Sequence, residues 1–541
     1  MGRKGYRWCW LWMALALVLA GCTQATPPIS PTPEPSPTSA APTPGGGTGG
    51  PVRPPAVAGQ FYPQKPEALE QVVQALLRQA RRAVPSASHP PLALIVPHAG
   101  YPYSGAVAAR AYAEAAGHPY EAVVLLGANH TLPTLDTGAL YPAGAFATPL
   151  GEVPVAQDLA SEVLAALPGL ASDPAMHRQE HSIEVQLPFL QVIAPGTPIV
   201  PLIVGDVTWA KAQELGQALA KVLAQRRVLL VATTDLSHYP PYGEACQVDG
   251  RTVEAIASLD GQEVWETDAR QMEAGHEGLA CTLCGRGAVL TALAAARALG
   301  AERAHLLLYA NSGDTLFGER DQVVGYAAFA IWRAGEGPAS WEAPPAPCRL
   351  EAEAETRALD PAEQARLLQV ARETLEWTLG IGLPPLEVDP SPALYQSSGA
   401  FVTLKKRGEL RGCIGNLSGQ GPLIRTVQRM AIAAATEDPR FPPVTSNELP
   451  DLRIEISVLS PLEEVAGPEA IQVGLHGVVL VHGSHQAVYL PQVALEEGWD
   501  RETMLSHLAQ KAGLPPEAWR DPEARFYVFT AQVFEEPASA P

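Results

Sequence analysis

Leu92-Ala93-Leu94-Ile95-Val96-Pro97-His98-Ala99-Gly100-Tyr101 decides how the first half of the chain folds. A strand with one face in water alternates apolar and polar side chains, because successive Cβ atoms point to opposite faces. Positions 92–97 do not alternate; they are apolar throughout, which calls for burial on both faces. The same character returns at 122–126, 199–204, 228–232, 305–309 and 323–331, with helical segments between. Apolar strands alternating with helices mark a mostly parallel sheet covered on both sides. Residues 53–334 are therefore expected to form an α/β domain, in which ligands bind beyond the carboxyl ends of the strands.

Three of those strand ends run into histidine. Val96-Pro97 leads to His98, Gly127-Ala128-Asn129 to His130, and Thr233-Thr234 to Asp235 and His238. One histidine at a strand end is ordinarily structural, but three ends converging on one crevice predict a metal or catalytic centre. Gly100 and Gly105 flank Tyr101-Pro102-Tyr103, a tight loop that lets backbone approach a ligand. Further on, Cys281 and Cys284 form a CxxC ahead of Gly285-Arg286-Gly287, where a helix over 288–298 is expected to open. A thiol at a helix N-terminus has a lowered pKa and is a better ligand or nucleophile; outside the cytoplasm the same pair equally suits a small disulfide. A rival motif overlaps this region: His177-Arg178-Gln179-Glu180-His181 satisfies HxxEH, the inverted zinc-peptidase pattern, which needs both histidines on one helical face.

The remainder reads differently. A Gly, Pro, Ala and Glu-rich linker with a lone Cys348 covers 335–358. Then Leu368, Ala371, Leu375 and Leu379 share one helical face, and Gly380 stops that helix. Two short strands, 400–404 and 410–415, flank Lys406, Arg407 and Gly408 as a hairpin, with later strands at 453–459 and 478–482. Residues 359–535 are expected to be an α+β domain. Cys413, between Gly412 and Ile414-Gly415, is either a small residue demanded by close packing or a thiol kept accessible by the glycines. His476, His482 and His485 follow it without an evident common site.

The start of the chain is a processing signal. Arg3, Lys4 and Arg7 form a basic head, 10–20 an apolar run too short to span a bilayer comfortably, and Gly21 precedes Cys22. Residues 19–22 resemble the lipobox of bacterial lipoproteins, which implies cleavage after residue 21, lipidation of Cys22 and an extracytoplasmic, membrane-anchored location. Residues 23–52 are almost entirely Pro, Thr, Ser, Ala and Gly, a tether that buries no core and extends on the order of 90 Å at ~3 Å per residue. With 57 acidic against 37 basic residues and a formal charge of -20, the chain lacks the basic surface that nucleic acid requires. It also contains no P-loop, no GxGxxG after a strand and no GxSxG elbow.

Taken together, Phe61-Tyr62-Pro63, Val96-Pro97-His98-Ala99-Gly100-Tyr101, Leu126-Gly127-Ala128-Asn129-His130, Glu180-His181-Ser182-Ile183-Glu184, Thr234-Asp235-Leu236-Ser237-His238 and Cys284-Gly285-Arg286 resemble the MEMO family in order and spacing. That resemblance implies a fold similar to the catalytic subunit of class III extradiol dioxygenases. It further implies a metal pocket of His98, His130 and Cys284 with Asp235 and His238 nearby; His181, Glu184, Tyr101 and Arg286 are further pocket candidates, and in an enzyme His238 or Asp235 would move protons. Two imidazoles and a thiolate suit a divalent transition metal, Fe(II) first and Cu or Zn next, rather than Mg or Ca. Some members carry two adjacent histidines where this chain has His130-Thr131. The later segment resembles the AMMECR family through Leu410-Arg411-Gly412-Cys413-Ile414-Gly415, whose Arg411, Gly412, Cys413 and Gly415 are the hallmark, and through Glu437-Asp438-Pro439-Arg440-Phe441, Glu455-Ile456-Ser457-Val458-Leu459-Ser460 and Leu490-Pro491-Gln492-Val493. The pair looks like components B and A of the AmmeMemoRadiSam system, which implies a radical S-adenosylmethionine enzyme as partner. Two functions compete: an enzyme acting on a small molecule or peptide, and a non-catalytic accessory module that binds metal or peptide. The anchor bears on both, because thiols outside the cytoplasm oxidise unless a metal shields them.

Overall fold

The computed structural model describes residues 50–81, 87, 89–132, 135–167, 169–316, 318–338, 340–343, 345–380, 391–419 and 421–537. The segment expected to be a signal, Cys22 and all but residues 50–52 of the expected tether lie outside them. Among the described residues no helix is long and apolar enough to cross a membrane. The chain divides into two compact units, Met1–Pro344 and Pro345–Pro541.

The first unit is built on an eight-stranded sheet of β1 (Ala93–Val96), β2 (Ala122–Gly127), β3 (Gly138–Leu140), β4 (Leu170–Ala171), β5 (Ile199–Val204), β6 (Val228–Thr233), β7 (Ala301–Asn311) and β8 (Gly325–Arg333), in the order β7-β8-β1-β6-β2-β5-β3-β4. Strands β1, β6, β2 and β5 run parallel and side by side, with Leu94 beside Val231 and Leu125 beside both Val231 and Pro201. Every residue of these four strands is buried, as their unbroken apolar sequence requires. The margins differ from the expected parallel arrangement: β7 and β8 form an antiparallel pair beside β1, and β3 is antiparallel to β5. Among the described residues between β7 and β8 there is a 3-10 turn at Ser312–Asp314 and no crossover helix, and the chain reverses direction.

Two glycines set what lies beyond the strand ends. A Cβ on Gly127, the last residue of β2, would stand 2.6 Å from Ile183 Cγ1 and 2.8 Å from Ser182 Oγ. One on Gly285 would stand 2.0 Å from the Thr233 carbonyl oxygen. Because neither position has a side chain, the 180–184 loop rests on the end of β2, and the helix Arg286–Ala298 starts against the end of β6.

The second unit has two antiparallel sheets. The first, ordered β10-β9-β11-β16, comprises β9 (Ala400–Lys406), β10 (Glu409–Asn416), β11 (Leu452–Leu459) and β16 (Ala531–Glu535). Its Val402, Leu404, Ile454 and Ile456 are buried against the helices Pro361–Thr378 and Leu423–Thr436. The second, ordered β12-β15-β13-β14, comprises β12 (Glu463–Val465), β13 (Gly477–His482), β14 (His485–Tyr489) and β15 (Arg525–Phe529), with the helix Arg501–Lys511 contributing to its core. The hairpin expected at 400–415 forms, turning through Arg407 and Gly408 at φ 55° and 90°, the left-handed pair that a two-residue loop needs. The segment read as linker is partly folded. Pro347 opens a short helix, Pro347–Ala352, that buries Leu350 in the core of the second unit.

Candidate metal centre

Beyond the carboxyl ends of β1, β2 and β6 the structure gathers His98, His130, His181, Asp235 and Cys284. Ligand atoms of His98, His130 and His181 lie within 4.8 Å of one another, and so do those of His98, Asp235 and Cys284. Each ring is held from behind. Thr233 Oγ1 sits 3.0 Å from His98 Nδ1, and Glu180 Oε1 sits 3.0 Å from His130 Nδ1 and 3.7 Å from His181 Nδ1. Glu180 is itself fixed by the backbone N–H groups of His130 at 2.7 Å and Ser182 at 2.9 Å. The imidazoles therefore turn Nε2 toward the crevice, an arrangement in which a carboxylate or hydroxyl behind a ligating histidine sets its tautomer and orientation. His130 and His181 stack at 4.7 Å, and the His98 ring meets the His130 ring edge-on at 4.9 Å.

The sulfur of Cys284 is 3.1 Å from His98 Nε2, also faces the His130 ring, and accepts the Asp235 N–H at 3.2 Å. Asp235 Oδ1 accepts the backbone N–H of His98 at 2.8 Å, and Oδ2 stands 3.9 Å from His98 Nε2.

Electrostatics separate these groups. Burial, and then the neighbouring imidazoles, hold His98 well below the usual histidine range, and burial followed by His130 brings His181 down to about 4. Burial works against the charged form of His130 too, but Glu180 and Cys284 outweigh it and hold that ring well above the usual range. Glu180 is the converse: burial opposes its charge, yet His130, His181 and the Ser182 N–H keep it well below the ordinary carboxylate range. Burial raises Asp235 to about 6. The Cys284 thiol departs from expectation. It precedes the helix by two residues, and burial pushes its pKa up although the His130 hydrogen bond opposes the rise. Dipole assistance at a helix start is smaller than the desolvation of a thiolate. No disulfide joins Cys281 and Cys284 in the structure, so the disulfide alternative does not hold there.

Other expected pocket residues are placed elsewhere. Glu184 is fully buried, and its oxygens accept from Arg53 Nη1 at 2.7 Å, Tyr62 Oη at 2.6 Å and the N–H groups of Ala56 and Val57. It clamps the first residues of the domain to the 180–184 loop and offers the crevice nothing. The Tyr101 hydroxyl donates to the Val185 carbonyl at 2.7 Å. Arg286 is ion-paired with Asp206 and Asp268, 4.3 Å above the Trp265 ring. His238 is buried with Nδ1 donating to the Leu236 carbonyl at 2.9 Å and belongs to neither ligand group. The zinc-peptidase reading fails on local structure. His177 ends a 3-10 turn, Pro174–His177, and its Nε2 donates to the Ala139 carbonyl at 3.0 Å, so no helix presents it beside His181. Glu180, the carboxylate behind two of the imidazoles, is the functional residue that strand-end reasoning misses. Its signal was its place immediately before His181 in a quoted motif.

In the second unit the hallmark glycines serve packing. A Cβ on Gly412 would stand 2.1 Å from the Ala434 carbonyl oxygen, and one on Gly415 would enter the Phe401 ring at 2.2 Å. Cys413 Sγ accepts the Thr403 hydroxyl at 3.3 Å, its N–H donates to Asp438 Oδ2 at 2.8 Å, and Arg411 pairs with Glu448 at 2.9 Å. His482 and His485 have separate partners, Asp521 at 3.4 Å and the Ala512 carbonyl at 3.0 Å.

Residues 53–330 match the family described as Memo-like protein, and residues 368–534 the family described as AMMECR1. Over 289 residues, 52% of this chain and 99% of the relative, the sequence is 35% identical to a MEMO1 family protein of Caldivirga maquilingensis. Over 179 residues, 31% of this chain and 86% of the relative, it is 45% identical to a protein of Methanopyrus kandleri. An uncharacterized protein of Pyrococcus horikoshii with a crystal structure is 38% identical, the match covering 32% of this chain and 91% of that one at a TM-score of 0.31. With its strand-end histidines and cysteine gathered at one crevice, the chain belongs to the Memo-like family and carries an AMMECR1 domain behind its Memo-like domain.

Proposed function

We propose that the Memo-like domain binds one divalent transition-metal ion through Nε2 of His98, Nε2 of His130 and Sγ of Cys284, and uses it in oxidoreductase chemistry on a small molecule or peptide. The observation that carries this reading is the convergence of ring nitrogens on Cys284 while Thr233 and Glu180 hold the opposite ring nitrogens of His98 and His130. Nitrogen with sulfur favours Fe(II), Cu or Zn over Mg or Ca, with Fe(II) first because an incomplete protein set leaves it open positions. A bound ion would supply Lewis-acid or redox chemistry in a crevice from which bulk water is largely excluded. Asp235 is the proton carrier: burial raises it to about 6, and Oδ2 lies 3.9 Å from His98 Nε2, beside the ligand atoms. His238 is the more remote of the two proposed proton carriers. The dioxygenase-like fold, the lipid anchor at Cys22 with its extracytoplasmic location, and the radical S-adenosylmethionine partner belong to the same proposal and rest on motif resemblance.

Metal analysis of the full chain tests it. Near-stoichiometric Fe, Cu or Zn is expected in the unaltered chain and none in His98→Ala or Cys284→Ser. A chain that retains no transition metal under any loading condition sinks the reading. Retained metal without oxygen consumption in the presence of Fe(II) and a panel of catechols would favour the accessory-module alternative.

A further inference from the structure

His181 has no task in the set of three ligands just proposed, yet its surroundings are those of a ligand. The residue is buried, and its Nε2 has no hydrogen-bond partner. Leaving a buried ring nitrogen unpaired costs on the order of 1–3 kcal/mol, and native interiors rarely tolerate it. Its other nitrogen faces an ionised carboxylate, Glu180 Oε1 at 3.7 Å, which accepts hydrogen bonds only, so the proton belongs on Nδ1 and the lone pair on Nε2. Glu180 does the same for His130 at 3.0 Å. One carboxylate thus stands at Nδ1 of both stacked imidazoles, so that each Nε2 is aimed away from it. Together with His98, their ligand atoms lie within 4.8 Å of one another. A cation between these nitrogens would give His181 Nε2 the partner it lacks, with His130 releasing a proton as the ion binds.

We infer that His181 Nε2 is a further metal ligand, so that the pocket offers three imidazoles and one thiolate. The inference rests on the metal-binding reading above and extends it. Nitrogens around one four-coordinate ion with bonds of ~2.0–2.1 Å sit about 3.4 Å apart, so small ring rotations close the observed spacing. The consequence concerns which metal permits chemistry. Four protein ligands close the shell of Zn(II), Co(II) or Cu(I), as in structural sites, whereas Fe(II), which accepts six, keeps positions for a substrate. His181 would therefore make the site inert with one class of ion and open with another.

Co(II) titration of the full chain under reducing conditions, followed by absorption, decides the matter. The unaltered chain should show intense visible bands of four-coordinate cobalt and a near-ultraviolet sulfur-to-cobalt transition. In His181→Ala and His181→Gln, each checked by circular dichroism, the sulfur transition should persist while the visible bands weaken several-fold and Co(II) affinity falls about tenfold or more. Added imidazole should restore the bands in the alanine variant. Bands and affinity unchanged in both variants would overturn the inference and leave the metal-binding reading intact. A chain that binds no Co(II) at all would remove both.

Discussion

Cys284 and Cys413 each stand beside a glycine that touches a neighbouring carbonyl, and the two regions come to opposite ends. At Cys284 the close approach is between Gly285 and the last residue of β6, which brings the sulfur to the strand ends where His98 and His130 already lie. At Cys413 the close approach is between Gly412 and the helix Leu423–Thr436, which packs a sheet against a helix. The sulfur there accepts a threonine hydroxyl and lies beside the Arg440 guanidinium, with no imidazole at it among the described residues. A glycine next to a cysteine reports close packing in both places. Only what else reaches the sulfur makes one of them a candidate ligand.

Alkylation and metal content break that comparison most forcefully. His98→Ala should abolish metal retention, and bound metal should protect Cys284 from a thiol reagent while leaving Cys413 equally reactive with and without it; equal protection of both would erase the distinction. Glu180→Gln comes next: the ligands stay, but the carboxylate that orients two of them loses its charge, so metal affinity should fall about 10–100-fold, measured by competition with a chelator. The glycines themselves are the third lever. Gly412→Ala forces a methyl to 2.1 Å from the Ala434 carbonyl oxygen and should destabilise the second unit by roughly 1–3 kcal/mol in denaturant unfolding without changing metal content, whereas Gly285→Ala should lower the stability of the first unit and its metal content.

Acidification gives the smallest effect and separates the two units by sign. Burial raises Asp249 of the first unit to about 7, so its folded form binds a proton that the unfolded chain has released. Its contribution to stability therefore improves as pH falls from about 7 toward the ordinary aspartate value near 4. In the second unit, hydrogen bonds from Arg357, helped by Ser391, hold Glu363 down to about 2 against burial. Its stabilisation is present above the unfolded value near 4.5 and is lost as pH falls toward 2. Urea midpoints tracked from pH 7 to pH 2 should show Asp249 adding to the stability of the first unit between pH 7 and pH 4, and the second unit losing the Glu363 contribution below about pH 4.5. Parallel decline of both midpoints would contradict the assignment.

Much of the fold was legible because burial on both faces leaves a mark on every residue of a strand. The runs at 92–97, 122–126, 199–204 and 228–232 needed no partner to be recognised. The direction of β7 and β8 was not legible, since an apolar run is the same whichever way its neighbour points. His98 and His130 could be named because they follow strands whose ends share one edge of the sheet. His181 and Glu180 reach the same place on a loop, and Gly127, which admits that loop to the end of β2, carried the signal only in retrospect. Glu184 was expected in the pocket and Glu180 was not, although both lie in one motif; four positions along the chain turn a side chain from the imidazoles to Arg53.

The sequence alone determined that two units of different class follow one another, that the first holds a buried parallel block, and that imidazoles gather at its strand ends. These are consequences of periodicity and chain order. Tertiary structure decided which atoms share the crevice, that no disulfide joins Cys281 to Cys284, and that one buried carboxylate stands behind two rings. Such facts depend on contacts between residues as far apart as 98 and 284, and local spacing does not encode their distance.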